Sequence, residues 1–207
     1  MVSESDLKHV KTIPYIGNFY FTKPKRILIV GHNHYCANPD IEWTSSITIE
    51  KMSEYLQARR TKDKTQIDAD LRSFLYFELA VNGEETTSEE AMLFWDSVAF
   101  YNYVQFPNTT EDKIKVMKDE QYRGSYDAFF ETLRFLKPDY IIAWGITNYE
   151  KMPPQHAENL DFKNQYACIY HLDGQHDIRV LGIHHPCQGF SREKWRHTIH
   201  DFLNLSV

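Results

Sequence analysis

The chain is poor in cysteine: three in 207 residues, Cys36, Cys168 and Cys187, an odd number with no C-x-x-C spacing. That pattern argues against a disulfide framework and against a four-cysteine metal cluster, and it favours a reduced, cytoplasmic setting. No apolar run approaches the ~20 residues that a membrane span needs. The N-terminus, Met1-Val2-Ser3-Glu4-Ser5-Asp6, carries neither the basic start nor the apolar stretch of a signal peptide, so none is expected. Excess positive charge is missing as well. The formal net charge is −6, whereas a protein built mainly to grip duplex DNA needs a basic face that displaces counterions. Internal repeats and low-complexity segments are absent. What is present is a 42% hydrophobic, 14% aromatic chain, enough to bury a core as a single domain over 1–207.

The apolar residues fall into short runs. Ile27-Leu28-Ile29-Val30, Tyr140-Ile141-Ile142-Ala143-Trp144 and Val180-Leu181-Gly182-Ile183 read as strands buried on both faces, the kind found in parallel sheets. Residues 97–104 form a fourth strand, and Tyr166–Tyr170 a weaker one before the Asp173-Gly174 turn. Between them come helical segments: 49–58, 70–80 with Asn82-Gly83 as its stop, a short helix over 88–95 with a Thr87/Glu90 capping box, 126–136 stopped by Lys137-Pro138, and a last helix capped by Ser191. Residues 1–25 are read as a lead-in that packs on the first strand. Alternating strands and helices predict an α/β fold, a three-layer α/β/α sandwich around a short central, mainly parallel four-stranded sheet.

Polar, titratable residues cluster where these strands end, which is where open α/β sheets bind ligands. The first strand runs into Gly31-His32-Asn33-His34-Tyr35-Cys36 and the last into His184-His185-Pro186-Cys187. Asn102 lies at the end of the second strand, and Gly145 follows the third.

These four landmarks, in this order, resemble the uracil-DNA glycosylase superfamily over roughly residues 26–205. There the first strand ends in a G-x-D/N-P-x loop with the water-positioning Asp or Asn, a later strand ends in a base-reading Asn, and the last strand ends in H-P-S with the catalytic His. The resemblance implies Asn33 and His185 as catalytic residues, Asn102 as base reader and Tyr35 as the tyrosine that narrows the pocket. Trp43 is a candidate for the aromatic stacked on the base, and Phe190 for a wedge into a duplex. The implied activity is hydrolysis of an N-glycosidic bond to a nucleobase, without a cofactor or metal, or recognition of a base-like ligand, with DNA among the substrates and no membrane partner. The sequence departs from the pattern at His34, where the family has proline, and at Cys187, where it has serine.

Other readings of the same residues stand beside this one. His32, His34, Cys36, His184, His185 and Cys187 are six metal-ligating side chains, and two adjoining loops of that kind suit a metal-dependent hydrolase. A catalytically silent binding module on the same fold is a third reading. Asn33 and Asn102 could simply tie loop backbones together, and His184 reads as a buried core histidine. The basic residues Arg192, Lys194 and Arg196 of the last helix read as a solvated face.

Overall fold

The computed structural model describes residues 7–36, 43–109 and 118–205. Strands β1 (Tyr15–Ile16), β2 (Ile27–Gly31) and β3 (Tyr35–Cys36) lead to helices α1 (Ile47–Thr61), α2 (Arg72–Asn82) and α3 (Ser88–Trp95). Strands β4 (Ala99–Asn102) and β5 (Asn108–Thr109) follow, then helices α4 (Asp119–Arg123) and α5 (Tyr126–Leu136). The chain ends with β6 (Tyr140–Trp144), α6 (Ile146–Glu150), β7 (Ala157–Asn159), β8 (Tyr166–Tyr170), β9 (Ile178–Ile183) and α7 (Arg192–Leu203).

The fold is α/β, but its main sheet has seven strands, not four, in the order β1-β4-β2-β6-β9-β8-β7. The four strands expected from the sequence are its mutually parallel centre, β4-β2-β6-β9. The additions lie at the edges and are antiparallel: β1 pairs with β4, and the β7–β8 hairpin extends beyond β9. The lead-in therefore supplies a strand to the sheet. Neither β1 nor β7 had an apolar run to betray it. β1 is two residues long, and all three residues of β7 are exposed. A short polar edge of this kind also discourages pairing with another chain.

Both faces of the central strands are covered, which explains why their runs are continuously apolar. Leu28, Val30, Tyr101, Ile141, Ala143 and Val180 join one cluster with Phe129, Leu133 and Leu136 of α5. Their neighbours Ile29, Phe100, Ile142, Trp144, Leu181 and Ile183 join another with Tyr55, Phe74, Trp95, Ile199 and Phe202. Period-two alternation thus serves two cores at once. At about 25 cal/mol per Å², each such fully buried aliphatic side chain contributes about 2 kcal/mol against chain entropy.

Local signals set the helix ends. Thr87 Oγ1 accepts from Glu90 N at 3.2 Å while Thr87 N donates to Glu90 Oε2 at 2.8 Å, the reciprocal capping box. Gly83, at φ 108°, ends α2 in a conformation closed to most side chains. Helices α1, α2 and α3 are joined by one buried carboxylate. Glu78 Oε1 takes Arg59 Nη2 at 3.0 Å, and Oε2 takes Trp95 Nε1 at 3.1 Å and the Tyr55 hydroxyl. Arg59 Nη2 also donates to Thr86 O at 3.2 Å. Among the described residues no helix is long and apolar enough to cross a membrane.

Strand order decides where a ligand can sit. From β2 the chain crosses to β4 on one side, then returns past β2 to β6 on the other. Connections leaving β2 and β6 therefore diverge at their carboxyl ends, the usual position of a binding crevice in such sheets.

Candidate functional site at the carboxyl ends of the parallel strands

Gly31 ends β2 against β4. A Cβ there would lie 2.3 Å from Asn102 Oδ1 and 2.8 Å from Phe100 Cζ, so only glycine lets the strands close here. The loop that follows is zipped to the segment after β4. Tyr103 N donates to Gly31 O at 3.0 Å, Val104 N to His32 O at 2.9 Å and Asn108 N to His34 O at 3.3 Å. Tyr35 then pairs with Asn108 in the parallel β3–β5 ladder. A backbone tied this often holds its side chains in fixed directions.

Each side chain of that loop has a different fate. His32 stacks on Tyr122, ring centroids 5.6 Å apart, with Nε2 2.8 Å from the Tyr122 hydroxyl. Burial, and then the charge of nearby His185, pushes its pKa down to about 4. His34 is 8% exposed, and its Nε2 receives Asn102 Nδ2 at 2.7 Å and lies 2.9 Å from Thr48 Oγ1. Its pKa also falls to about 4, through burial first and Lys51 second, so it is a neutral acceptor at pH 7. Trp43 meets the His34 ring edge-on at 6.1 Å. Asn33, between the two histidines, is the exception. Both polar atoms of its amide are buried, and neither has a hydrogen-bond partner among the described residues.

The β6 end contributes Gly145, at φ 90°, and Asn148 of α6, which is 3% exposed. Asn148 Nδ2 donates to Gly31 O at 3.2 Å and to Trp144 O at 3.3 Å, clamping the two strands whose connections diverge. Its Oδ1 is buried and has no partner among the described residues.

From β9 comes His185, half-buried, its ring 6.2 Å from Trp144 and nearly perpendicular to it. A Cβ on Gly145 would come within 4.0 Å of His185 Cβ. Cys187 N donates to His185 Nδ1 at 3.2 Å. That bond makes Nδ1 an acceptor and places the ring proton on Nε2. Burial lowers the His185 pKa, which keeps the ring neutral at pH 7. No protein-family model and no curated protein matches this chain.

The structure thus gathers Asn33, Asn102 and His185 at one end of the sheet, with His32, His34 and Trp43 in the same cluster. Asn102, 5% exposed, gives one of its two amide N–H donors to His34. The Tyr35 and Cys36 side chains lie outside the described residues. Phe190 is elsewhere, stacked on Trp195 with rings 6.2 Å apart and 9° from parallel. It lines a surface pocket of about 380 Å³ with Tyr76, Pro186, Cys187, Gly189 and Arg192, a pocket that touches none of Asn33, Asn102 and His185. His184 is not the core histidine expected. It is exposed, with Nδ1 3.2 Å from Gly189 O, because β9 ends at Ile183 and the chain turns outward there.

Among the described residues no three His, Cys, Asp or Glu side chains are arranged to hold a metal ion. His32 and His34 each spend a ring nitrogen on a protein partner, and His184 spends Nδ1 on the carbonyl of Gly189. Asn148, Tyr122 and Thr48 escaped the sequence reading. Thr48 lies in a helix and Tyr122 in a polar stretch, with no motif to mark either. Asn148 follows Gly145 by three residues, and the glycine after a strand was the only hint.

Proposed function

We propose that this chain is a divergent relative of the uracil-DNA glycosylases, a three-layer α/β/α sandwich that hydrolyses the N-glycosidic bond of a nucleobase, or holds a base-like ligand, at the ends of β2, β4, β6 and β9. One observation carries the reading: Asn33 keeps a buried, unpartnered amide in the same strand-end cluster as a neutral His185 whose proton is on Nε2. An orphaned buried amide costs about 1–3 kcal/mol, and such a group is understandable where a ligand or water completes it.

The chemistry follows from these two side chains. The bond from C1′ of the sugar to the base nitrogen breaks, and its electron pair leaves with the base. His185 Nε2–H donates to a carbonyl oxygen of the departing base, where negative charge gathers; a neutral donor fixed in place needs no reorganisation to do so. Asn33 Oδ1 accepts a hydrogen bond from a water, whose oxygen bonds to C1′ of the oxocarbenium-like sugar. Asn33 cannot take the proton. The water sheds it to solvent, and the base anion takes one up.

The test is base release from single- and double-stranded DNA containing uracil or hypoxanthine, and from the free nucleosides. Wild-type protein releases base; Asn33→Ala and His185→Ala each cut the rate by roughly a hundredfold or more with the melting temperature unchanged. If wild-type protein releases base from none of them, the enzymatic reading on these substrates falls. The binding-module reading draws on one observation of its own, that the Asn102 amide nitrogen already gives one of its two N–H donors to His34. Saturable binding of free uracil or hypoxanthine without turnover is its signature.

A further inference from the structure

We propose that Asn148 is a second water-orienting residue: its Oδ1 and the amide of Asn33 hold the attacking water between them. The inference rests on the glycosylase reading and adds to it a residue that the resemblance does not supply. Four buried polar atoms on residues at this end of the sheet have no partner among the described residues: Trp144 Nε1, and three that belong to two asparagines, Asn33 Oδ1, Asn33 Nδ2 and Asn148 Oδ1. Asn148 Nδ2 is bonded to the carbonyl of Gly31, which stands two residues before Asn33 in the chain. Nδ2 of Asn148 is consumed by Gly31 O and Trp144 O, so its carbonyl can only turn toward something that donates.

A water molecule matches this set. It has two protons for the two Oδ1 atoms and a lone pair for Asn33 Nδ2, and it fits sites with two to four polar partners. The arrangement also answers a chemical difficulty. Position 33 has no carboxylate, so a single neutral carbonyl is a weak substitute for a general base. Two carbonyls that each hold one O–H direct the remaining lone pair of the oxygen outward and polarise both bonds. When that lone pair bonds to C1′, the C1′–N bond breaks onto the base as before, and one of the held protons passes to solvent.

Methanol separates this role from a structural one, because it has one O–H donor where water has two. The partition of the released sugar between the hydrolysed product and the methyl glycoside is measured in methanol–water mixtures, with kcat and KM. In Asn148→Ala and in the volume-matched Asn148→Leu, kcat should fall about tenfold, the equivalent of one hydrogen bond to the reacting water, with KM changed less than about twofold. The methyl glycoside share should rise severalfold over wild type. An unchanged partition in the variants overturns the proposal even if both are slow, because a merely structural residue slows both nucleophiles alike. If both variants unfold, the conservative Asn148→Ser, with its shorter hydroxyl, takes their place in the same assay. If the wild-type protein releases no base, the glycosylase reading has failed, and a high-resolution crystal structure then decides the site. An ordered water bonded to both Asn33 and Asn148 supports the clamp, and its absence refutes it.

Discussion

His34 should make the protein acid-labile, and the size of the effect follows from its surroundings. In the folded chain its Nε2 accepts from Asn102 Nδ2, a bond only the neutral ring can make, and its pKa is about 4. Unfolded, it returns to about 6.5. Between these values the unfolded chain binds more protons, so the folded state is fully favoured above about pH 6.5 and loses stability as pH falls towards 4. Integrated, one such histidine removes about 2 kcal/mol at pH 5 and about 3 kcal/mol at pH 4, against a total stability of roughly 5–15 kcal/mol. His32, whose pKa is likewise about 4, adds to the same slope. His34→Gln isolates one contribution, since the glutamine carbonyl can still accept from Asn102 but does not titrate. Urea unfolding followed by tryptophan fluorescence at pH 7.5 and pH 5 gives the comparison. Wild type should lose about 2 kcal/mol more than His34→Gln over that interval. Carboxylates titrate in both proteins and cancel in the difference. Parallel pH profiles for the two would refute the argument, because they would mean that His34 is not held neutral by burial.

Other outcomes follow from the same geometry. Glu78→Ala leaves buried Arg59 without its counter-charge and should cost about 3–5 kcal/mol, lowering the melting temperature by roughly 10 °C. Calorimetry checks it, and a shift under about 3 °C contradicts the network as described. Base release should be flat at neutral pH and fall on the acid side below about pH 6.5, because protonating His185 Nδ1 breaks its bond to Cys187 N–H and burial has already lowered its pKa. An acid limb centred above that value in the kcat profile would exclude His185 as the group responsible.

The centre of the sheet was legible in the residues because its strands are buried on both sides. Ile27–Val30, Tyr140–Trp144 and Val180–Ile183 have no polar interruption, and the capping box at Thr87 and the stop at Gly83 depend on neighbours a few positions away. The edges were not legible. β1 and β7 are strands because β4 and β8 offer them free backbone groups, not because of their own side chains. The site divides in the same way. Asn33 and His185 stood out as polar residues directly behind apolar strands, whereas the pairing of His34 with Asn102 joins residues 68 apart and has no local trace.

The amino-acid order alone therefore determined which strands are central and which residues emerge at their carboxyl ends, because burial and turn chemistry act over a few bonds. Tertiary structure decided which of those residues meet. The pairing of β2 with β4 closes His34 onto Asn102, and the crossing of the chain from β4 past β2 to β6 brings Asn148 to the carbonyl of Gly31; both depend on contacts between distant segments.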